Sequence, residues 1–245
     1  MISGEALIEK RDAKSKDIEQ SLYLSISTYY AKFLREVNSN LSKANKAYGI
    51  MKKDINEDMI DLILPSQAEK LDDFFKIISP ILLRGYKDSF ESMGGTFSQK
   101  NTYIQKSLNI EKALFNNMMA NTFLALRMSL SNAISANLTQ GEIKEVIGKI
   151  LDQNHTKAKL IARTESMRTA NVGIYAATVV DNEVQGYEWV SVMDKVTREH
   201  HAEVNGERIE KGGYFSNGLQ YPLDPNGPPE EVCNCRCIAI PLRKV

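Results

Sequence analysis

A chain of 245 residues is long enough to bury a substantial core in one large domain or two modest ones. Its 42% hydrophobic and 25% charged content is ordinary for a globular protein in water, and 31 basic against 31 acidic side chains argue against a main task of coating duplex DNA. No segment approaches the roughly 20 apolar residues of a membrane span, and the polar opening from Met1 to Lys16 lacks the apolar centre of a secretory signal, so a cytoplasmic site of synthesis is expected.

The first 180 residues read as helical. From Ile18 the apolar positions Leu22, Ile26, Tyr29, Phe33, Val37, Leu41 and Ala44 recur at steps of three and four, a stripe along one helix that Gly49 should stop. A short helix is expected over Met59 to Leu64, before Pro65. Ser66 with Glu69 fits a capping box opening a helix on Leu71, Phe74, Phe75, Ile78, Leu82 and Phe90, with a kink at Pro80 and an end at Gly94-Gly95. A polar loop is expected over 95–105, then a long helix from about Ile110 to Leu138 on Leu114, Met118, Phe123, Leu130 and Ile134. Thr139 with Glu142 is a second capping box, opening a helix through Ile150. Thr156 is expected to cap a last long helix reaching Val180.

The texture changes at Asp181. Six of the 14 glycines and five of the seven prolines follow it, so the end of the chain should be rich in turns, with short strands at Tyr187 to Val192 and Cys237 to Ile240. The same stretch holds 11 acidic and 7 basic residues, which makes it mildly acidic and the preceding part mildly basic. The expected architecture is α+β: an elongated helical region over 1–150, then a small domain over 151–245 with one long helix packed on a short antiparallel sheet and large loops.

The most specific residues lie in that small domain. A helix carries Arg163-Thr164-Glu165, a strand carries Trp189, and Asp194, Thr197-Arg198, His201 and Gly206 follow in order. Asn234-Cys235-Arg236-Cys237 leads into a closing apolar strand. This ordered set resembles the phage Mu F-like minor head protein family, the head-morphogenesis family of tailed phages, over about residues 155–242. The resemblance implies a structural component of a phage head that binds rather than catalyses. Incorporation would be into the procapsid and virion, near the portal vertex or inner capsid surface, with portal, scaffold and major capsid proteins as partners. Handling of DNA on packaging or ejection is a further role it implies. The chain departs from the pattern in two ways. Where some members carry Cys-x-x-Cys, this chain runs from Arg198 to His201, and Cys233 is additional.

Three cysteines within five residues do not form a secreted disulfide framework. Together with the imidazoles they offer a zinc site of His201, Cys235 and Cys237 completed by Cys233 or His200, since zinc takes thiolate and imidazole ligands. The alternative is that the thiols pack as small apolar groups. Glu165 and Arg168 are three apart on a helix and can pair, while Arg163 and Asn171 share roughly that face, which suits a polar seam to the turn-rich segment. Arg163 and Glu165 could instead serve a toxin-type enzyme such as an ADP-ribosyltransferase, and a Cys–His dyad oriented by Asp194 could serve a hydrolase. A zinc-stabilised interaction module without a viral role is a third alternative. Basic residues cluster at Lys43, Lys46, Lys52 and Lys53, and again at Lys144, Lys149, Lys157, Lys159 and Arg163. Aromatic residues are not interleaved with them, so at most a weak contact with packaged DNA is expected.

Overall fold

The computed structural model describes residues 4–48 and 57–244. Five helices come first: α1 (Gly4–Tyr48), α2 (Glu57–Ile63), α3 (Gln67–Ser92), α4 (Thr102–Ser135) and α5 (Gln140–Thr178). Then follow β1 (Val184–Val190), α6 (Glu199–Glu203), β2 (Arg208–Glu210), α7 (Pro229–Val232) and β3 (Ile238–Arg243). The three strands form one antiparallel sheet in the order β2-β1-β3, so the protein is α+β, with its strands in the C-terminal part. No described helix is long and apolar enough to cross a membrane.

Local sequence explains most of these bounds. Every member of the α1 stripe from Leu22 to Ala44 is buried, as its three-and-four spacing requires. The expected stop at Gly49, and Lys52 and Lys53, lie outside the described residues. Ser66 Oγ accepts the Glu69 amide at 3.4 Å at the start of α3, which runs on through Pro80. At α5, Thr139 and Glu142 make the reciprocal capping box. The Thr139 amide donates to Glu142 at 2.7 Å and the Glu142 amide to Thr139 at 3.2 Å.

Two helices differ from expectation. α4 begins at Thr102, eight residues early, because Asn101 Oδ1 accepts the Tyr103 amide at 3.0 Å and caps it. The first turns of α4 bury the polar Ser107 and Glu111, which breaks the apolar pattern that marks a helix in sequence. In the first half of α4 the buried face is also offset by a residue, with Phe115 and Met119 inside and Leu114 about half exposed, whereas Phe123 and Leu130 are buried as expected. The break expected at Thr156 is absent, since α5 runs unbroken through it.

The described fold divides into two compact units. One comprises Tyr23–Ile78 and Lys112–Lys159, and its described regular elements are all helices. Its core is aromatic: Phe74 stacks on Tyr29 with ring centres 4.8 Å apart and meets Phe115 edge-on at 5.7 Å, and Phe33 packs on Phe123 at 5.2 Å.

The other unit comprises Met1–Leu22, Ser79–Glu111 and Leu160–Val245 and contains the sheet. Here α3 and α5 approach closely at glycine. A Cβ on Gly173 would stand 2.8 Å from both the Tyr86 carbonyl oxygen and Ser89 Cβ, and one on Gly85 would stand 2.4 Å from Thr169 Oγ1. Tyr175, from α5, stacks on Tyr187 of β1 at 5.2 Å and on Tyr221 at 4.4 Å, which joins helix, sheet and the following loop. Trp189, fully buried in β1, meets Phe215 edge-on at 5.1 Å and His201 at 5.5 Å.

Candidate functional site

Four of the residues singled out in the sequence, Thr164, Asn171, Asp194 and Arg198, converge on residues 233–237, the segment entering β3. Asn234 takes the left-handed backbone conformation, φ 57°, which asparagine tolerates better than most residues, and its amide donates to Thr164 Oγ1 at 2.9 Å. Asn171 Nδ2 donates to the Cys237 carbonyl at 3.1 Å. Arg236 reaches back to Asp194 at 2.6 Å. Asp194 Oδ1 also accepts the Val196 amide at 3.1 Å and the Thr197 hydroxyl at 3.1 Å, and the Arg236 contact, foremost, holds its carboxyl below the usual range. Arg198 donates to the Cys233 carbonyl. Helix α5 on one side and the 194–198 turn on the other thus hold the segment along its length.

Beneath the helix side is a charged network. Arg168 Nη1 bonds both oxygens of Glu165, at 2.6 and 2.5 Å, and both side chains are buried. Glu111 lies in the same environment, fully buried, and its Oε1 accepts the Tyr86 hydroxyl at 2.7 Å. Burial first, and the Glu165 charge second, push the Glu111 carboxyl well above its ordinary range. Arg163, two residues before Glu165, is partly exposed and faces Glu19 at 3.7 Å. Arg163 and Glu165 therefore have separate partners.

The cysteines and imidazoles form the second constellation. His201 is buried at 2% exposure. Its Nδ1 lies 3.6 Å from Cys235 Sγ and 3.5 Å from Cys237 Sγ, and its Nε2 lies 2.9 Å from Glu231. These three donor atoms, His201 Nδ1 and the two sulfurs, lie within 4.8 Å of one another and could hold a metal ion. The second Glu231 oxygen meets the exposed His200 at 2.9 Å. Cys233 is exposed and stands outside the group. The Cys235 thiol beside it, with His201 and Ser191, pulls the Cys237 thiol down despite burial, while that same pairing and burial push Cys235 up. For His201, burial disfavours the charged ring, but Cys237 and Glu231 outweigh it and raise its pKa.

Ser191 ties this cluster to the sheet. Its hydroxyl donates to the His201 carbonyl at 2.6 Å and accepts the Trp189 indole N–H at 3.0 Å and the Cys237 thiol at 3.4 Å. Gly206, with φ 82°, turns the chain so that its amide meets the Trp189 carbonyl at 2.7 Å. Several participants carry no sequence signal of their own. Arg11, from α1, donates to the carbonyls of Arg236 and Cys237 at 3.0 and 3.1 Å. Glu111 and Ser191 are likewise silent in isolation, whereas Glu231 lies in the run Pro228-Pro229-Glu230-Glu231, which marks a short helix start.

Comparison with known proteins places these residues in one region. Residues 125–240 match the protein family described as Phage Mu protein F like protein, a span that takes in the whole motif set from Arg163 to Cys237. No curated protein and no solved structure matches the chain.

Proposed function

We propose that this chain is a minor head protein of a tailed phage, acting by binding in procapsid and head morphogenesis. The match of residues 125–240 to the Phage Mu protein F like family carries the reading. The motif side chains support a structural role. Thr164, Asn171, Asp194 and Arg198 bond the 233–237 segment, and Glu165 is closed in a buried pair with Arg168. Residues 151–245 are the recognition unit in this proposal, and the helical residues 1–150 supply docking faces. On α4, Leu124 and Met128 lie one turn apart and are each 57% exposed, the kind of apolar pair that a partner surface covers.

The partners we infer are portal, scaffold and major capsid proteins, with the chain ending in the virion at the portal vertex or on the inner capsid surface. Contact with packaged DNA would be weak and would use the exposed Lys144, Lys157 and Lys159 of α5. A toxin-type transferase built on Arg163 and Glu165 gains no support from the geometry, because Glu165 is spent on Arg168 and Arg163 faces Glu19. Co-expression with the portal, scaffold and major capsid proteins of one tailed phage tests the assembly reading. The tagged chain should sediment with the assembled particles. Recovery only in the soluble fractions, with particles otherwise normal, would contradict it.

A further inference from the structure

We infer that His201, Cys235 and Cys237 form a zinc site with three protein ligands and one small exogenous ligand, and that Glu231 fixes the imidazole from behind. The inference does not rest on the assembly reading. Zinc bonds of about 2.3 Å to sulfur and about 2.0–2.1 Å to nitrogen, at a tetrahedral angle, set the donor atoms about 3.6 Å apart. The two sulfurs lie 3.6 and 3.5 Å from the same His201 Nδ1. A single imidazole nitrogen has one in-plane lone pair and accepts one thiol proton well. Two sulfurs at matched separations from it suit a shared cation better.

The tautomer agrees. Glu231, 2.9 Å from Nε2, accepts a hydrogen bond from the N–H there and leaves the Nδ1 lone pair pointing at the sulfurs. A carboxylate behind a ligating histidine is the usual way a metal site fixes its imidazole. Two thiolates and one neutral imidazole also balance a divalent cation, which matters where all three ligands are buried. Their softness favours zinc over magnesium or calcium.

The fourth position has room for one atom. A cavity of about 20 Å³ adjoins His201, Cys235 and Cys237. That exceeds the roughly 10–15 Å³ one water needs. Cys233, exposed and outside the cluster, is not a ligand in this assignment.

The test uses the full chain, purified reduced. It should carry one zinc by elemental analysis. After chelation, titration with cobalt(II) should give the intense visible bands of a tetrahedral site and a thiolate-to-cobalt charge-transfer band. Cys233→Ser should keep both in full, whereas Cys237→Ser should lose about half the charge-transfer intensity, as one of two thiolates is removed. Glu231→Gln leaves every ligand in place and should weaken zinc binding by about 10–100-fold. Folded, reduced wild-type protein that carries no zinc and gives no tetrahedral cobalt spectrum would overturn the site. Loss of metal in Cys233→Ser, or unchanged affinity in Glu231→Gln, would overturn the ligand assignment.

Discussion

Arg168 has 2% of its surface exposed and bonds both oxygens of Glu165, so removing its charge strands a carboxylate in the interior. Breaking a buried ion pair from one side typically costs about 3–5 kcal/mol, and urea unfolding of Arg168→Met should show a loss of that order. Glu111 contributes with the opposite pH sense to an ordinary carboxylate. Its folded pKa is raised, by burial first and by Glu165 second, so its contribution is complete below the unfolded carboxylate pKa and is lost as pH rises through the folded one. Glu111→Gln mimics the protonated acid and has no such loss. The stability of wild type relative to this variant should therefore fall as pH rises above the ordinary carboxylate range, and a pH-independent difference would show that folding does not raise the Glu111 pKa. The pairing of Glu165 with Arg168 could be read from their spacing of three on a helix. Glu111 could not, because a buried acid looks like a surface one until the tertiary fold brings Tyr86 and Glu165 to it.

Helix and strand positions were readable wherever burial follows a regular period. The α1 stripe is the clearest case, with seven residues from Leu22 to Ala44 all inside. The start of α4 was hidden because Ser107 and Glu111 hold inward positions through hydrogen bonds to Tyr86 rather than by apolar character. The continuity of α5 was hidden because Thr156 is as good a cap residue as Thr139, and nothing local separates a used cap from an unused one. Close packing of α3 on α5 depends on glycine. In Gly173→Ala the new methyl group would meet the Tyr86 carbonyl oxygen at 2.8 Å, and backbone cannot swing aside as a side chain does. Overpacking of this kind costs about 1–3 kcal/mol, and a thermal melt should place the variant below wild type by a corresponding shift.

At the scale of the whole chain, the sheet-bearing unit draws on three separate stretches of sequence. Arg11 bonds the Cys237 carbonyl across 226 residues, and Gly85 and Tyr86 pack against α5. The family motif was visible in the closing residues, but its support from α1 and α3 was not, since pairings this distant leave no local pattern. A fragment containing only residues 151–245 lacks Arg11, Tyr86 and Glu111, and its circular dichroism melt should fall well below that of the full chain. An equal melt would show that the earlier stretches are dispensable. Within this unit Arg11 of α1, Thr164 and Asn171 of α5, and Asp194 and Arg198 all hold the 233–237 segment, which the proposed role in particle assembly would use as a recognition surface. The most direct test of that role is gradient fractionation of cells producing the phage that encodes the chain, with peptides identified by mass spectrometry. The assembly account predicts the chain in purified procapsids or virions together with portal and major capsid proteins. Its consistent absence from both particles, while abundant in the soluble fraction, would contradict the account.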